Sequence, residues 1–196
     1  MLRSAMHREC EFAFCASSCH TKPMNDDLVK TLADRAETLF ANREMYCGEA
    51  IMTALNEGLG GGLPPEQARG MAMGFGEGIG KAGCLCGALG GAVLAASWFL
   101  SRGLDPRQVR DATGDLHDRF KQASGSSCCR VLTKPVKDDP ARHFAKCTGL
   151  TRRGAELAAR VILERMPELA CGESAAPRRK PSRLASLLRR LAAAVE

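Results

Sequence analysis

The sequence predicts an all-α fold, a compact helical bundle of about five to six helices with a glycine-rich segment ahead of a central apolar helix. Three observations lead there. No segment of useful length alternates apolar and polar residues with period two, whereas apolar residues recur at helical spacing in several stretches. Aromatic residues are only 5% of the 196 positions, with one Trp and one Tyr, while hydrophobic residues make up 45%. A core of Ala, Gly and aliphatic side chains suits closely packed helices better than a β-sandwich, whose strands draw on aromatic and β-branched residues.

The elements follow in order. Asn25 is placed to cap a first helix, with Asp26 and Asp27 in its first turn and Leu28, Leu32, Ala36, Leu39 and Phe40 as its apolar stripe. Residues 46–59 form a second helix that sets Cys47, Ile51, Ala54 and Leu55 on one face. Glycines at 58–62 break the pattern, and Pro64, Pro65 and Glu66 start a helix over residues 65–73. That helix runs into the glycine-rich stretch 74–83. A long apolar helix spans residues 86–102, with Gly103 predicted to close it in the left-handed position past its end.

Asp105, Pro106 and Gln108 predict a capped helix start, and Val109, Ala112, Leu116 and Phe120 form the inward stripe behind it. Residues 128–132 suffice for one or two turns. Asp138, Asp139 and Pro140 mark a boundary, and a last core helix is expected from Thr148 or Thr151 to Arg165, with Leu157, Ala158, Val161 and Ile162 inward.

This gives three parts: an N-terminal extension over residues 1–23, a helical domain over 24–170, and a basic linker with an amphipathic tail helix over 171–196. The extension holds three Cys and two His without a helical stripe, and Met24 is the alternative start of translation if the extension is not made. In the tail, residues 182–195 put Leu184, Leu187, Leu188, Leu191 and Val195 on one side and arginines on the other, a pattern suited to an anionic membrane surface or a partner groove, or to docking on the chain's own domain.

The net charge is +6, but residues 173–196 carry six basic against two acidic groups, which leaves +2 for the rest. A nearly neutral body argues against nucleic-acid binding. The N-terminus lacks the apolar run of a secretory signal, so a cytoplasmic location is expected. Residues 82–100 are uncharged over a length that could cross a membrane, but their Gly, Ala and Cys content is only mildly apolar, and a helix buried on all sides is the better reading.

Two glycine motifs fail on context. Gly78, Gly80 and Gly83 match GxGxxG, yet no strand precedes them to form the strand–turn–helix that meets a pyrophosphate. Lys81 lacks both the glycine and the hydroxyl residue of a phosphate-binding loop, since Phe75 and Ala82 stand there. Hydrolytic catalysis is equally unsupported: His7, His20, His117 and His143 belong to no triad or metalloprotease motif. His143 is four residues from Cys147 and shares a helix face with it if the region is helical.

Ten cysteines are the anomaly. In a reducing compartment they point to metal or redox chemistry and not to structural disulfides. No CxxC is present, so neither a thioredoxin-type dithiol nor a zinc ribbon is indicated. Cys15, Cys19 and His20 resemble a haem-attachment motif with one residue too many, and with Cys10 they offer a zinc set of unusual spacing. In the body, Cys86, Cys129 and Cys147 are each read as opening a helix, where unpaired amides and the helix dipole favour the thiolate.

Tyr46-Cys47-Gly48-Glu49, the run Gly74 to Gly80, and Cys86-Gly87-Ala88-Leu89-Gly90-Gly91 together resemble the C_GCAxxG_C_C family of redox-active proteins, defined by four cysteines and a CGAxxG motif. The motif's final glycine falls on Gly91. The third family cysteine maps to Cys129, with its neighbour Cys128 as the alternative, and the fourth to Cys147. The resemblance covers about residues 25 to 165 and leaves out the N-terminal cysteines, Cys171 and the tail. It implies a redox role for Cys47, Cys86, Cys129 and Cys147, with Cys84 and Cys128 as secondary candidates.

Four thiolates from separate helix ends suit an iron–sulfur cluster or another metal. The same set without metal supports thiol–disulfide exchange. A non-redox helical binding module with a structural zinc is the reading from another class. The expected partner is an electron-transfer or thiol-bearing protein whose identity the sequence does not give.

Overall fold

The computed structural model describes residues 22–171. The N-terminal zinc set and the amphipathic tail over residues 182–195 lie outside them. Within them the chain forms eight helical segments: α1 (Lys22–Ala41), α2 (Cys47–Gly58), α3 (Pro65–Ala72), α4 (Gly76–Ile79), α5 (Gly87–Leu100), α6 (Pro106–Ser124), α7 (Cys129–Thr133) and α8 (Pro140–Arg165). Six of these are eight residues or longer, and the described residues include no strand, so the molecule is an all-α bundle.

Helices α2, α5 and α8 pack against one another at the centre, α1 lies across α2 and α8, and α6 covers α5 and α8. The small-residue composition explains how closely they approach. A Cβ added at Gly91 on α5 would lie 2.5 Å from the Cα of Gly48 on α2, and one at Gly154 on α8 would lie 2.9 Å from the carbonyl oxygen of Ala88. Backbone therefore meets backbone at both crossings. Ala50, Ala54, Ala88, Ala92, Ala95, Ala155, Ala158 and Ala159 fill the remaining interface and are buried. Phe99, Phe120, Ile51, Leu55, Leu89 and Ile162 supply the bulk around them.

The central apolar helix is as expected: ten of the fourteen residues of α5 are buried, and no described helix is long and apolar enough to cross a membrane. The predicted start of α6 holds in detail. The Asp105 side chain accepts from the amides of Arg107 and Gln108, and the Gln108 side chain accepts from the Asp105 amide.

Other boundaries differ. Helix α1 begins at Lys22, before the predicted Asn25 cap, because Pro23 in the first turn needs no amide partner. Helix α8 begins at Pro140, well before Thr148, with Asp139 capping it through the Arg142 amide at 3.0 Å. Its first two turns are largely exposed and carry no apolar stripe, so periodicity started the helix too late. Gly103 does not take the left-handed conformation; α5 ends in the helical residue Ser101. A Cβ at Gly103 would instead meet the Met166 side chain at 3.2 Å.

Candidate four-cysteine site

Each of the four cysteines comes from a different helix, and all four line one cavity of about 790 Å³. Cys47 is the first residue of α2, Cys86 caps α5, and Cys129 is the first residue of α7. Cys147 sits within α8, in its second turn, and not ahead of a helix. Helix-end placement therefore holds for three of the set, with Cys47 taking the place predicted for Cys147. The cavity wall also carries His143 and Leu150 from α8, so the predicted shared face of His143 and Cys147 is present.

The first glycine of the CGAxxG segment makes room for a sulfur. A Cβ at Gly87 would lie 2.6 Å from the Cys47 Sγ and 2.4 Å from the Phe75 carbonyl oxygen. The rim is a loop of unusual conformation. Glu77, Gly78, Ile79, Gly80 and Lys81 all have φ between 51° and 76°, in the left-handed region. Three of these five are not glycine, and a β-branched residue such as Ile79 adopts that region at a cost of about 1–2 kcal/mol. Gly78 is required at its position, since a Cβ there would lie 2.8 Å from the Cys129 Cβ. The loop thus presses directly onto one of the four cysteines.

The expectation that helix ends would favour the thiolates is overturned. Burial pushes the Cys47 thiol up to about 12, Cys147 up to about 12 and Cys129 up to about 11. Cys86 is also raised by burial, against the opposing hydrogen bonds of the Leu89 and Ala88 amides. Desolvation outweighs the helix ends, and the sulfurs oppose one another's ionisation: Cys47 feels Cys86, Cys147 and Cys129.

Cys84 and Cys128 do not line the cavity. They lie beside it, with their side chains in hydrogen-bonding reach of each other. Hydrogen bonding from the Val131 amide lowers the Cys128 thiol, and the contact with Cys128 raises Cys84.

A family model described as "Putative redox-active protein (C_GCAxxG_C_C)" matches residues 45–161. The chain belongs to this family. All four cavity cysteines fall within the matched C_GCAxxG_C_C region, as do α2 to α7 and most of α8. A protein of Archaeoglobus fulgidus described as "Uncharacterized protein" is 26% identical over 136 residues, which are 64% of this chain and 89% of that protein. No solved structure matches the chain.

Sequence reasoning did not find the charged pair behind the site. Glu49, within the family-like run after Cys47, is 1% exposed, and its Oε2 accepts from the Arg69 Nε at 2.7 Å. Arg69 also lines the cavity wall. A glutamate in the first turn of a helix reads as solvent-facing unless the helix is known to be covered all round. Nine consecutive residues of α2, Gly48 to Asn56, are in fact buried.

Proposed function

We propose that this C_GCAxxG_C_C protein is an electron carrier in which Cys47, Cys86, Cys129 and Cys147 ligate an iron–sulfur cluster. The observation that carries the proposal is convergence: four cysteines, far apart along the chain and on four helices, line a single cavity. The donor chemistry fits, because such clusters take four thiolate ligands. Among the described residues no three Cys, His, Asp or Glu side chains are gathered tightly enough for a single metal ion. A lone zinc takes its sulfurs at about 2.3 Å from one centre, whereas a polynuclear cluster spreads its ligands over separate irons.

When bound, such a cluster takes up and releases electrons at a potential set by its surroundings. The chain's own groups supply those surroundings. The Gly48 amide hydrogen-bonds the Cys47 sulfur, and the Leu89 and Ala88 amides hydrogen-bond that of Cys86. Ala88 and Leu150 supply an apolar part of the cavity wall. Ligation displaces the thiol protons, so metal uptake releases protons to solvent.

Thiol–disulfide exchange by the same four sulfurs is the weaker reading. A thiol near 12 is ionised to roughly one part in 10⁵ at neutral pH, and the thiolate is the attacking form.

Anaerobic purification of the full chain, followed by iron and acid-labile sulfide analysis and a visible spectrum, tests the proposal. Stoichiometric iron and sulfide with a visible absorption bleached by dithionite are expected. Serine at Cys47, Cys86, Cys129 or Cys147 should each cut iron content by more than about half. A protein left colourless and iron-free after anaerobic reconstitution overturns the reading, as does full iron retention in all four variants.

A further inference from the structure

Cys84 and Cys128 remain outside the cavity, and the fold holds them together at the surface. Cys84 is exposed and Cys128 is half-buried. The segment around Cys84 is clasped antiparallel to the segment around Cys128 by two backbone hydrogen bonds. The Arg130 amide donates to the Gly83 carbonyl and the Cys86 amide to the Ser127 carbonyl, both at 2.8 Å. The Arg130 guanidinium adds a bond to the Ala82 carbonyl at 2.6 Å.

Gly83, with φ 76°, lets the segments come this close, since a Cβ there would lie 3.1 Å from the Arg130 Nε. The Cys128 thiol donates to the carbonyl oxygen of Gly83, the residue before Cys84, at 3.1 Å. The two backbone bonds bracket Cys84 on one segment and Cys128 on the other, so the clasp makes the two residues neighbours.

We propose that Cys84 and Cys128 form a second redox site, a surface dithiol that reduces partner disulfides by thiol–disulfide exchange. One sulfur, as thiolate, attacks a sulfur of the partner disulfide. A mixed disulfide forms and one partner thiolate leaves. The second cysteine, as thiolate, then attacks the protein sulfur of the mixed disulfide. The Cys84–Cys128 bond forms and the second partner thiolate is released. The two cysteine protons end on the two released thiols, and two electrons pass from the dithiol to the partner disulfide. Exposure of Cys84 gives the partner its access. The site is independent of the cluster proposal, because cluster ligation uses neither sulfur.

The test uses the full reduced chain incubated with oxidised glutathione, then alkylated, digested and sequenced by mass spectrometry. A Cys84–Cys128 crosslink is expected in the parent protein. Cys84→Ser and Cys128→Ser should each trap glutathione on the remaining sulfur, at about fivefold the parent's level. The double variant should lose this exchange and keep its fold by circular dichroism and the parent's iron content. Absence of the crosslink in the parent overturns the proposal. So do links confined to Cys84 with Cys86 or Cys128 with Cys129, or undiminished exchange in the double variant. Loss of iron in the double variant would overturn the separation of this pair from the cavity.

Discussion

Single residues around the cavity are set against strong local costs. Glu49 is the clearest case, since a carboxylate in a helix buried all round requires a partner, and the Arg69 Nε at 2.7 Å is the partner present. Removing Arg69 leaves the charge buried. Breaking such a pair costs about 3–5 kcal/mol when both ends are desolvated, and the 42% exposure of the Arg69 side chain reduces this. Arg69→Met is therefore expected to destabilise the protein by about 2 kcal/mol, measured by urea unfolding. A loss under a few tenths would mean that water reaches Glu49. The cysteines show the same principle from the other side: helix-end amides lower the Cys86 thiol, but burial raises it further.

At the level of elements, the helix crossings decide what the motif glycines are for. Gly87 clears space for the Cys47 sulfur, whereas Gly91 lets α5 touch α2. A methyl at Gly91 would overlap backbone atoms of Gly48 at 2.5 Å, which cannot rotate away. Gly91→Ala should then force α2 and α5 apart, costing about 1–3 kcal/mol and moving Cys47 relative to Cys86. Thermal unfolding and iron content of that variant check both effects, and an unchanged Tm with unchanged iron would show that the crossing is looser than described. The start of α8, which periodicity placed too late, has a local cause. The first turns of α8 are polar and half-solvated, so only the cap at Asp139 and Pro140 announced them.

Across the whole molecule, ion pairs tie the outer helices to α8. Arg152 bonds Asp34 and Glu37 on α1, Arg160 bonds Asp26 at 2.7 Å, and Arg119 on α6 bonds Glu164 at 2.8 Å. Asp115 is held below the ordinary aspartate value of 3.8, first by the hydrogen bond from Arg119 and also by that from Arg165. Its folded value lies below its unfolded one, so its contribution is complete above pH 3.8 and fades as pH falls through the folded value. Asp115→Asn should cost about 1 kcal/mol at neutral pH, given a side chain one-third exposed, and the deficit should shrink as pH falls below 3.8. Urea midpoints of both proteins between pH 7 and pH 2 measure this, and a deficit that persists at the acid end would assign it to packing and not to charge.

The sequence alone determined the all-α class, the buried central helix, the capped start of α6 and the family to which the chain belongs. Those features are local: propensity, caps and glycine spacing act within a few residues, and the family motif is a linear pattern. Tertiary structure decided the rest. Cys128 and Cys129 are neighbours in the chain, yet one faces the cavity and the other meets Cys84 outside it, because adjacent residues at a helix start point in different directions. The ionisation of the thiols was equally beyond a linear reading, since it depends on how many apolar groups and other sulfurs gather around each one. Burial is a sum over contacts that are distant along the chain, and only the packed helices carry it out.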